Sequence, residues 1–311
     1  MPNFNGVWSL VTQLQYVADW PNINRIDGNV GLFAGGTGDG GTVNEIEFIT
    51  ITSEGNAADF GDMHTARASF AACSGSVFGV FAGGPEFSGT KTDSMEKIVV
   101  NTKGNGADFG NLTQARNQFT GCANTARGVF PGGSTQSGSF VALDYITFSS
   151  LGDAVDFGDL TGYRVGHAAC ASPTRGVFGG GNETSNVIEY FTIGTTGNSA
   201  DFGDLTVGRH QLTAASSDTR GLFAGGETYN TIDYITIAST GNATDFGDMT
   251  ESRRLNAGCS NNTRGVFGGG SNTDTIMFVT IASTGDASDF GDLTASKRNL
   301  ESVSNAHGGL Q

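Results

Sequence analysis

The sequence Gly221-Leu222-Phe223-Ala224-Gly225-Gly226, followed by Asp245-Phe246-Gly247-Asp248-Met249, decides the fold because both elements recur along the chain. The form G-[V/L]-F-x-G-G occurs six times, and D-F-G-[D/N]-[L/M] follows it each time. The glycine elements start at Gly31, Gly79, Gly128, Gly176, Gly221 and Gly265, and the acidic elements start at Asp59, Asp108, Asp156, Asp201, Asp245 and Asp289. A repeat with a period of about 45 residues predicts a ring or stack of small units.

Each repeat contains four segments with the character of β-strands. In the fifth repeat, a short apolar run at 221–226 ends in glycines, and residues 232–237 alternate apolar and polar side chains. An irregular third strand follows at 243–249, and a fourth runs from Arg253 to about Ser260. Four antiparallel strands recurring about every 45 residues are typical of a β-propeller blade.

The spacing within the repeat places the length variation in one kind of loop. The interval from each acidic element to the next glycine element is constant, whereas the interval from each glycine element to the following acidic element is longer in the first three repeats than in the last three. The longer loops, at 37–44, 85–94 and 134–142, all follow a Gly-Gly pair. Variable loops on a rigid frame are where binding residues are usually found.

The two ends of the chain predict a closed ring. The first glycine strand has no repeat-like strand before it, and residues 297–305 supply one, with Gly309 in phase for the next glycine element. We therefore predict one all-β domain at 29–311, a six-bladed β-propeller of four-stranded blades closed by the C-terminal strand. A short leader at 1–28 precedes it. Closure removes open sheet edges, which are prone to aggregation.

Composition excludes several classes of partner. The net charge is −15, so we expect no nucleic acid and no anionic membrane surface as partner. The four cysteines, Cys73, Cys122, Cys170 and Cys259, occupy the same position relative to the Asp of their own D-F-G element. Ala215 and Val303 occupy this position in the other repeats, which indicates a small buried apolar site without disulfides or metal.

The repeat resembles the kelch repeat of β-propellers. Gly225-Gly226, the aromatic Tyr234, Phe246 and the basic Arg253 carry this resemblance, which covers residues 29–311. It departs from the kelch pattern in having Phe where kelch blades often carry Trp, and in the D-F-G-D element. The resemblance implies the propeller fold. Nothing in the sequence matches the BTB-like domain of kelch adaptors or the Tyr/His/Cys copper arrangement of kelch oxidases.

The leader is similar to the opening of glycine-rich virion proteins of tailed phages, especially marine ones. Gly6-Val7-Trp8-Ser9-Leu10, followed by Gln13, Gln15, Ala18, Trp20 and Pro21, carries this similarity. It implies a fibre, knob or surface component. Read from its residues alone, the segment predicts a short helix capped by Ser9, which would plug or cap the ring.

Two repeated charge patterns qualify as candidate sites. The paired carboxylates of D-F-G-D are oxygen ligands of the kind that Ca²⁺ prefers, but their presence in every repeat favours a scaffold role, with bonds to backbone N–H groups and pairing with Arg. A basic residue lies eight positions after each D-F-G Asp: Arg67, Arg116, Arg164, Arg209, Arg253 and Lys297. These residues either face an anionic ligand beside the variable loops or form ion pairs with the repeated Asp, and the second arrangement is favoured.

Few residues break the repeat in the way that an enzyme would require. An enzyme of this fold needs unique polar residues on its inner strands, and His167, Asn256 and Glu301 are the three that stand there. The four histidines occupy unrelated repeat positions, and no nucleophile or phosphate-loop motif is present. The sequence therefore predicts a protein that is not an enzyme and has no cofactor and no bound metal.

The function we predict is that of a structural or attachment component of a phage virion, as a tail fibre, knob or head-surface protein. It would display loops to a host-surface glycan or to other virion proteins, in multiple copies on the particle. The predicted ligand-binding residues are Asp39, Glu86, Phe87, Lys91, Arg67, Arg116 and Arg164. The alternatives are a cellular lectin-like or adaptor propeller and a propeller hydrolase or lyase acting on polysaccharide.

Overall fold

The computed structural model describes residues 29–85, 89–182 and 184–305. The predicted leader at 1–28 lies outside the described residues, as do Glu86 and Phe87. The described part consists of strands, turns and irregular segments, and it contains no helix that could span a membrane.

Six four-stranded antiparallel sheets form the blades, and their inner strands contact one another in sequence around a closed ring. The inner strands are β6 (Ala71–Ser74), β11 (Cys122–Ala123), β17 (Ala168–Ala171), β21 (Thr213–Ser216), β25 (Ala257–Ser260) and β29 (Glu301–Ser304). The second strands, which carry the glycine element, are β1 (Val30–Ala34), β7 (Phe78–Ala82), β12 (Arg127–Pro131), β18 (Arg175–Gly179), β22 (Arg220–Ala224) and β26 (Arg264–Gly268).

The outer half of each blade is formed by the alternating strand and the D-F-G strand. The third strands are β4 (Glu45–Thr50), β8 (Ser94–Val99), β15 (Ala142–Thr147), β19 (Val187–Thr192), β23 (Thr231–Thr236) and β27 (Thr275–Thr280). The fourth strands are β5 (Ala58–Asp62), β9 (Ala107–Asn111), β16 (Val155–Asp159), β20 (Ala200–Asp204), β24 (Thr244–Asp248) and β28 (Ser288–Asp292). The predicted six-bladed propeller is confirmed.

The C-terminal strand closes the ring. β29 pairs antiparallel with β1, and Leu32 lies opposite Val303 in the register. Blade one is therefore the sheet β29-β1-β4-β5, which combines the two ends of the described chain. This confirms the predicted closure, and it means that the last segment of each repeat is the inner strand of the following blade.

The D-F-G element forms a bulge that contacts the next blade. In blade five, Ile232 pairs with Gly247 and Asp233 pairs with Asp245, so the buried Phe246 is the extra residue. Gly247 has φ +146°, and a Cβ atom there would lie 2.5 Å from the carbonyl oxygen of Gly285 in blade six. The same turn of blade six donates its Gly285 N–H to the Phe246 carbonyl at 2.8 Å. Equivalent bonds join all six pairs of neighbouring blades.

The first glycine of each glycine element makes room for the inner strand of the preceding blade. A Cβ atom on Gly221 would lie 2.5 Å from the Sγ atom of Cys170, whereas at Gly265 the neighbour is the smaller Ala215 at 3.1 Å. All four cysteines are free and buried, as the sequence predicts. Burial raises the pKa of the Cys170 and Cys259 thiols to about 12.

One end of the propeller carries the Gly-Gly turns, and we call it the loop face. Two small hairpins extend the loops there in blades one and three: β2 (Thr37–Gly38) with β3 (Gly41–Thr42), and β13 (Ser134–Thr135) with β14 (Gly138–Ser139). A short strand, β10 (Arg116–Asn117), pairs with β13. The length variation predicted from the sequence therefore lies on one face.

Candidate functional site

The basic residue eight positions after each D-F-G Asp is buried inside the blades. Nη2 of Arg67 lies 2.5 Å from Oε1 of Glu96, and Nη1 of Arg116 lies 2.6 Å from Oδ2 of Asp144. Arg164–Glu189, Arg209–Asp233 and Lys297–Glu47 repeat this pairing in blades four, five and one. The partner carboxylate stands on the third strand of the blade, so the predicted pairing with the D-F-G-D aspartate is wrong.

These carboxylates also bind the start of the segment that leads into the blade. Asp144 accepts hydrogen bonds from the backbone N–H and the hydroxyl of Thr113, and Asp233 does the same with Thr206. Burial lowers the pKa of Arg116, and the charge of Asp144 opposes this effect. The pair is thus held within a network of backbone and side-chain hydrogen bonds, which is the condition for tolerating a buried ion pair.

Blade six departs from this pattern. Met277 occupies the third-strand position where the other five blades have a carboxylate, and Arg253 pairs instead with Glu251. Arg253 still donates hydrogen bonds to two backbone carbonyls, those of Gly269 and Thr275. Arg253 is as fully buried as Arg67, Arg116 and Arg209, which pair with third-strand carboxylates.

A closed circle of backbone hydrogen bonds surrounds the propeller axis at the loop face, and we call its six residues the collar. The members lie two positions after each buried basic residue: Ser69, Gln118, Gly166, Gln211, Leu255 and Asn299. Each N–H donates to the carbonyl of the member in the preceding blade, at 2.7 to 3.0 Å, and Ser69 closes the circle by donating to Asn299. All six have positive φ, between 49° and 62°.

The collar surrounds an axial cavity of about 400 Å³. Its walls carry aromatic residues, including Phe70, Phe119 and Tyr163, together with the amide and hydroxyl side chains of the collar. No lysine or arginine is among the described residues that line it. A smaller chamber of about 30 Å³ lies deeper, between the inner strands.

Four residues line both the cavity and the deeper chamber, and we call them the neck: His167, Leu212, Asn256 and Glu301. They come from blades four, five, six and one, respectively. The three polar members are the residues that the sequence singled out as breaking the pattern of the inner strands. Folding of the ring therefore brings together side chains that belong to separate repeats and lie far apart in the sequence.

The side chains of two polar residues of the neck, His167 and Asn256, have no hydrogen-bond partner among the described residues. Within the described part of the chain, this holds for both ring nitrogens of His167 and both amide atoms of Asn256, although these residues are only 5% and 6% exposed. Burial, and then the Arg164 guanidinium, lower the pKa of His167 to about 3 against an opposing effect of the Pro131 carbonyl. Burial raises the pKa of Glu301 well above its ordinary value. Buried polar groups without partners are rare and call for an explanation.

The predicted ligand-binding residues are not brought together into one site. Asp39 is exposed at the tip of the β2–β3 hairpin. Lys91 donates from Nζ to the Ser134 carbonyl at 3.0 Å and to the Thr135 carbonyl at 2.9 Å, so it ties the loop of blade two to that of blade three. Burial lowers its pKa. Glu86 and Phe87 lie outside the described residues.

The three predicted arginines, Arg67, Arg116 and Arg164, are at most 5% exposed and are engaged with carboxylates. The structure thus uses them to hold the blades, and they do not line the axial cavity. The first Asp of each D-F-G-D element is exposed, and the described residues form no cluster of three or more metal-ligating side chains.

The arrangement defines a six-bladed β-propeller with a polar axial cavity. No protein-family model and no curated protein sequence matches the chain. Among solved structures, that of YjhT is similar, with a TM-score of 0.64 over 78% of this chain and 88% of that one. The two sequences are 10% identical, so this likeness concerns the fold.

Proposed function

We propose that the chain is a non-enzymatic structural and attachment protein of a phage virion that binds a host-surface glycan through its loop face. The axial cavity carries this proposal. Its size suits one or two sugar rings, and its walls combine hydrogen-bonding side chains with aromatic faces. Sugars present hydroxyl groups along their edges and C–H groups on their faces, so they need both kinds of contact.

The scaffold supports an attachment role because neighbouring blades are joined by repeated backbone bonds and closed by β29. A rigid ring loses little conformational entropy on binding, and several copies on a particle would multiply a weak contact into strong adhesion. The assignment to a virion, with other virion proteins as partners, rests on the similarity of residues 6–21 to phage surface proteins. A kelch-type relationship rests on the repeat pattern.

Two measurements test the proposal. Mass spectrometry of purified particles should detect the chain, and immunogold labelling should place it on the particle surface. The recombinant chain should compete with such particles for host cells and slow their adsorption by about tenfold, whereas heat-unfolded chain should not. Absence of the chain from particles would favour a cellular lectin-like or adaptor propeller. Presence without any effect on adsorption would favour a pure scaffold that contacts other virion proteins.

One observation favours a second candidate, an enzyme acting on polysaccharide. Glu301 has a raised pKa and lines the same neck as a neutral His167, and shifted titratable groups in a cleft are typical of acid–base catalysis. Incubating the chain with host-surface polysaccharide and measuring new reducing ends or unsaturated products separates the two. Product formation that is lost in Glu301→Gln would overturn the non-enzymatic proposal.

A further inference from the structure

We propose that the neck of the axial cavity binds a protonated primary amine, with Glu301 as its counter-charge and Asn256 and His167 as further hydrogen-bond acceptors. This inference rests on the proposed binding function of the loop face and gives its ligand a chemical class. An amino sugar with a free amine meets the requirement, because it combines an ammonium group with the hydroxyl groups that suit the rest of the cavity.

The polar atoms at the neck and at the neighbouring collar residue Gln211 are mainly acceptors. Oδ1 of Asn256 and Oε1 of Gln211 are buried without a donor, and both residues line the cavity. A neutral His167 offers one acceptor nitrogen, and the carboxylate of Glu301 offers two oxygens. The donors without partners are fewer, namely the Asn256 amide and one imidazole N–H. A ligand that brings several donors to one point matches this inventory, and an ammonium group brings three.

The charge at the neck also favours a cationic ligand. Glu301 forms no ion pair or side-chain hydrogen bond with the described residues, whereas the other five blades have Ala or Thr at this position. The described lining contains no lysine or arginine that would hold an anionic ligand, and His167 is neutral. A cation that enters the cavity would therefore meet one carboxyl group without a counter-charge, and it would stabilise the ionised form of that group in a site of low dielectric constant.

The basic residues near the axis are already engaged elsewhere. Lys297 pairs with Glu45 and Glu47. Arg67 pairs with Glu96, and Arg253 pairs with Glu251. The strands β1, β6 and β25 around β29 carry no ionisable side chain except the buried thiols of Cys73 and Cys259. His210 also lines the cavity, and its Nδ1 atom lies 3.2 Å from Oε1 of Glu227. Arg298 is not among the residues that line the cavity. Among the described residues, Glu301 thus supplies the carboxyl group that an ammonium would meet and would stabilise in its ionised form.

One aromatic residue of the wall, Tyr163, adds a second attraction for a cation because 43% of its surface is exposed. Phe70 and Phe119 are only 0% and 3% exposed, and the Arg116 guanidinium already lies 4.7 Å from the centroid of the Phe119 ring. Aromatic faces attract ammonium groups, most strongly where water is excluded. Leu212, Leu255 and Leu300 belong to the apolar part of the lining.

Isothermal titration calorimetry with three sugars of the same ring tests the inference: glucosamine, N-acetylglucosamine and glucose. We expect glucosamine to bind at least about tenfold more tightly than the two uncharged sugars. Glu301→Gln should abolish this preference while near-ultraviolet circular dichroism stays that of the folded chain. Asp156→Asn is the matched control, because it removes a carboxylate from the exposed outer strand of blade three and should leave the preference intact.

Proton release gives a readout that a merely structural role of Glu301 would not produce. The carboxyl group binds the ammonium in its charged form, so ligand binding should release a proton near the raised pKa. The heat of binding should then depend on the ionisation enthalpy of the buffer in the wild type and lose this component in Glu301→Gln. Equal binding of the three sugars, or a preference that survives in Glu301→Gln, overturns the inference.

The adsorption assay keeps the two proposals distinguishable. If the wild-type chain slows particle adsorption and Glu301→Gln does so equally well, the attachment function stands and the amine site is wrong. If glucosamine binds through Glu301 but the chain is absent from particles, the site stands and the virion assignment is wrong.

Discussion

Nη2 of Arg253 lies 2.6 Å from Oε1 of Glu251, only two residues earlier in the chain. In the other five blades the equivalent basic residue pairs with a carboxylate on the third strand, which blade six replaces with Met277. The side chain of Glu251 is 55% exposed, so this blade neutralises a fully buried cation from its solvent side. Blade six thus keeps an ion pair at the buried basic residue but takes the carboxylate from a different position in the chain.

Removal of this local partner should destabilise the propeller. Glu251→Ala leaves the guanidinium of Arg253 buried without a counter-charge, and we expect the free energy of unfolding to fall by about 1–2 kcal/mol, since solvent screens part of the interaction. Adding Met277→Glu should restore most of the loss by supplying the carboxylate of the other blades. Urea denaturation measures both changes. Glu54→Ala, which removes an equally exposed partner of the partly exposed Arg264, should cost less than about 0.5 kcal/mol. Similar losses in the two alanine variants would contradict the explanation.

The packing between blades predicts unequal effects at equivalent glycines. Gly221→Ala should destabilise the chain by about 2–3 kcal/mol, because its Cβ atom would meet the Sγ atom of Cys170 at 2.5 Å. Gly265→Ala should cost less, because Ala215 stands opposite at 3.1 Å. Thermal denaturation compares the variants, and the double variant Gly221→Ala/Cys170→Ala should recover part of the stability. No recovery in the double variant would show that the thiol is not the obstacle.

The D-F-G glycine is expected to be more sensitive than the turn glycine that it contacts. Gly247 and Gly285 have similar φ angles, +146° and +154°, so alanine strains the backbone at both positions. At Gly247, however, the new Cβ atom would also lie 2.5 Å from the Gly285 carbonyl, whereas it would meet nothing within 4 Å at Gly285. We expect Gly247→Ala to lower the free energy of unfolding by at least about 1 kcal/mol more than Gly285→Ala. Hydrogen exchange of the Gly285 amide checks whether the contact between blades five and six has opened.

The buried imidazole of His167 should make the fold sensitive to acid. Its pKa is about 3 in the folded chain, below the ordinary value of 6.5, so the unfolded chain binds a proton at higher pH than the folded one. Stability is therefore lost as pH falls from about 6.5 towards 3. His167→Phe, which introduces the residue found at this position in blades two and three, should lose less stability over this window. Asn256→Leu removes a polar group of the same neck that does not titrate. Its stability should therefore fall with pH in the same way as that of the wild type. Denaturation curves across the pH range measure the difference, and identical slopes for all three chains would exclude His167 as the source.

The number and closure of the blades could be predicted from the sequence because the repeat is regular. The constant interval between each D-F-G and the next glycine element fixes the inner strand, and residues 297–305 supply the strand that blade one lacks. The glycine elements were equally informative, since positive φ angles and close contact with a neighbouring blade both require glycine at these points.

The ion pairs of the blades were harder to predict, although a signal was present. The sequence places the basic residue eight positions after the D-F-G aspartate of one blade, but the segment that carries it leads into the next blade, where the base pairs with the third-strand carboxylate. Glu47, Glu96, Asp144, Glu189 and Asp233 recur at one position of the third strand, and all five are buried. A buried acid requires a partner such as a buried base.

The axial site was predicted in its parts but not as a whole. His167, Asn256 and Glu301 stand out from their repeats, yet only the closed ring brings residues of separate blades to the neck. The collar had no sequence signal, because its members are as different as Leu255 and Gly166. What they share is a left-handed backbone conformation, which only the three-dimensional structure reveals.

That dissimilarity has a consequence for how such a protein can change. Six main-chain hydrogen bonds join the circle around the axis. Among the described residues, the Ser69 hydroxyl adds one side-chain bond between members by donating to Oδ1 of Asn299 at 3.0 Å. The side chains of the collar can therefore vary on a fixed backbone ring, and they are limited mainly by which amino acids tolerate a left-handed backbone conformation. New selectivity can thus be acquired one substitution at a time, without rebuilding the architecture that displays it.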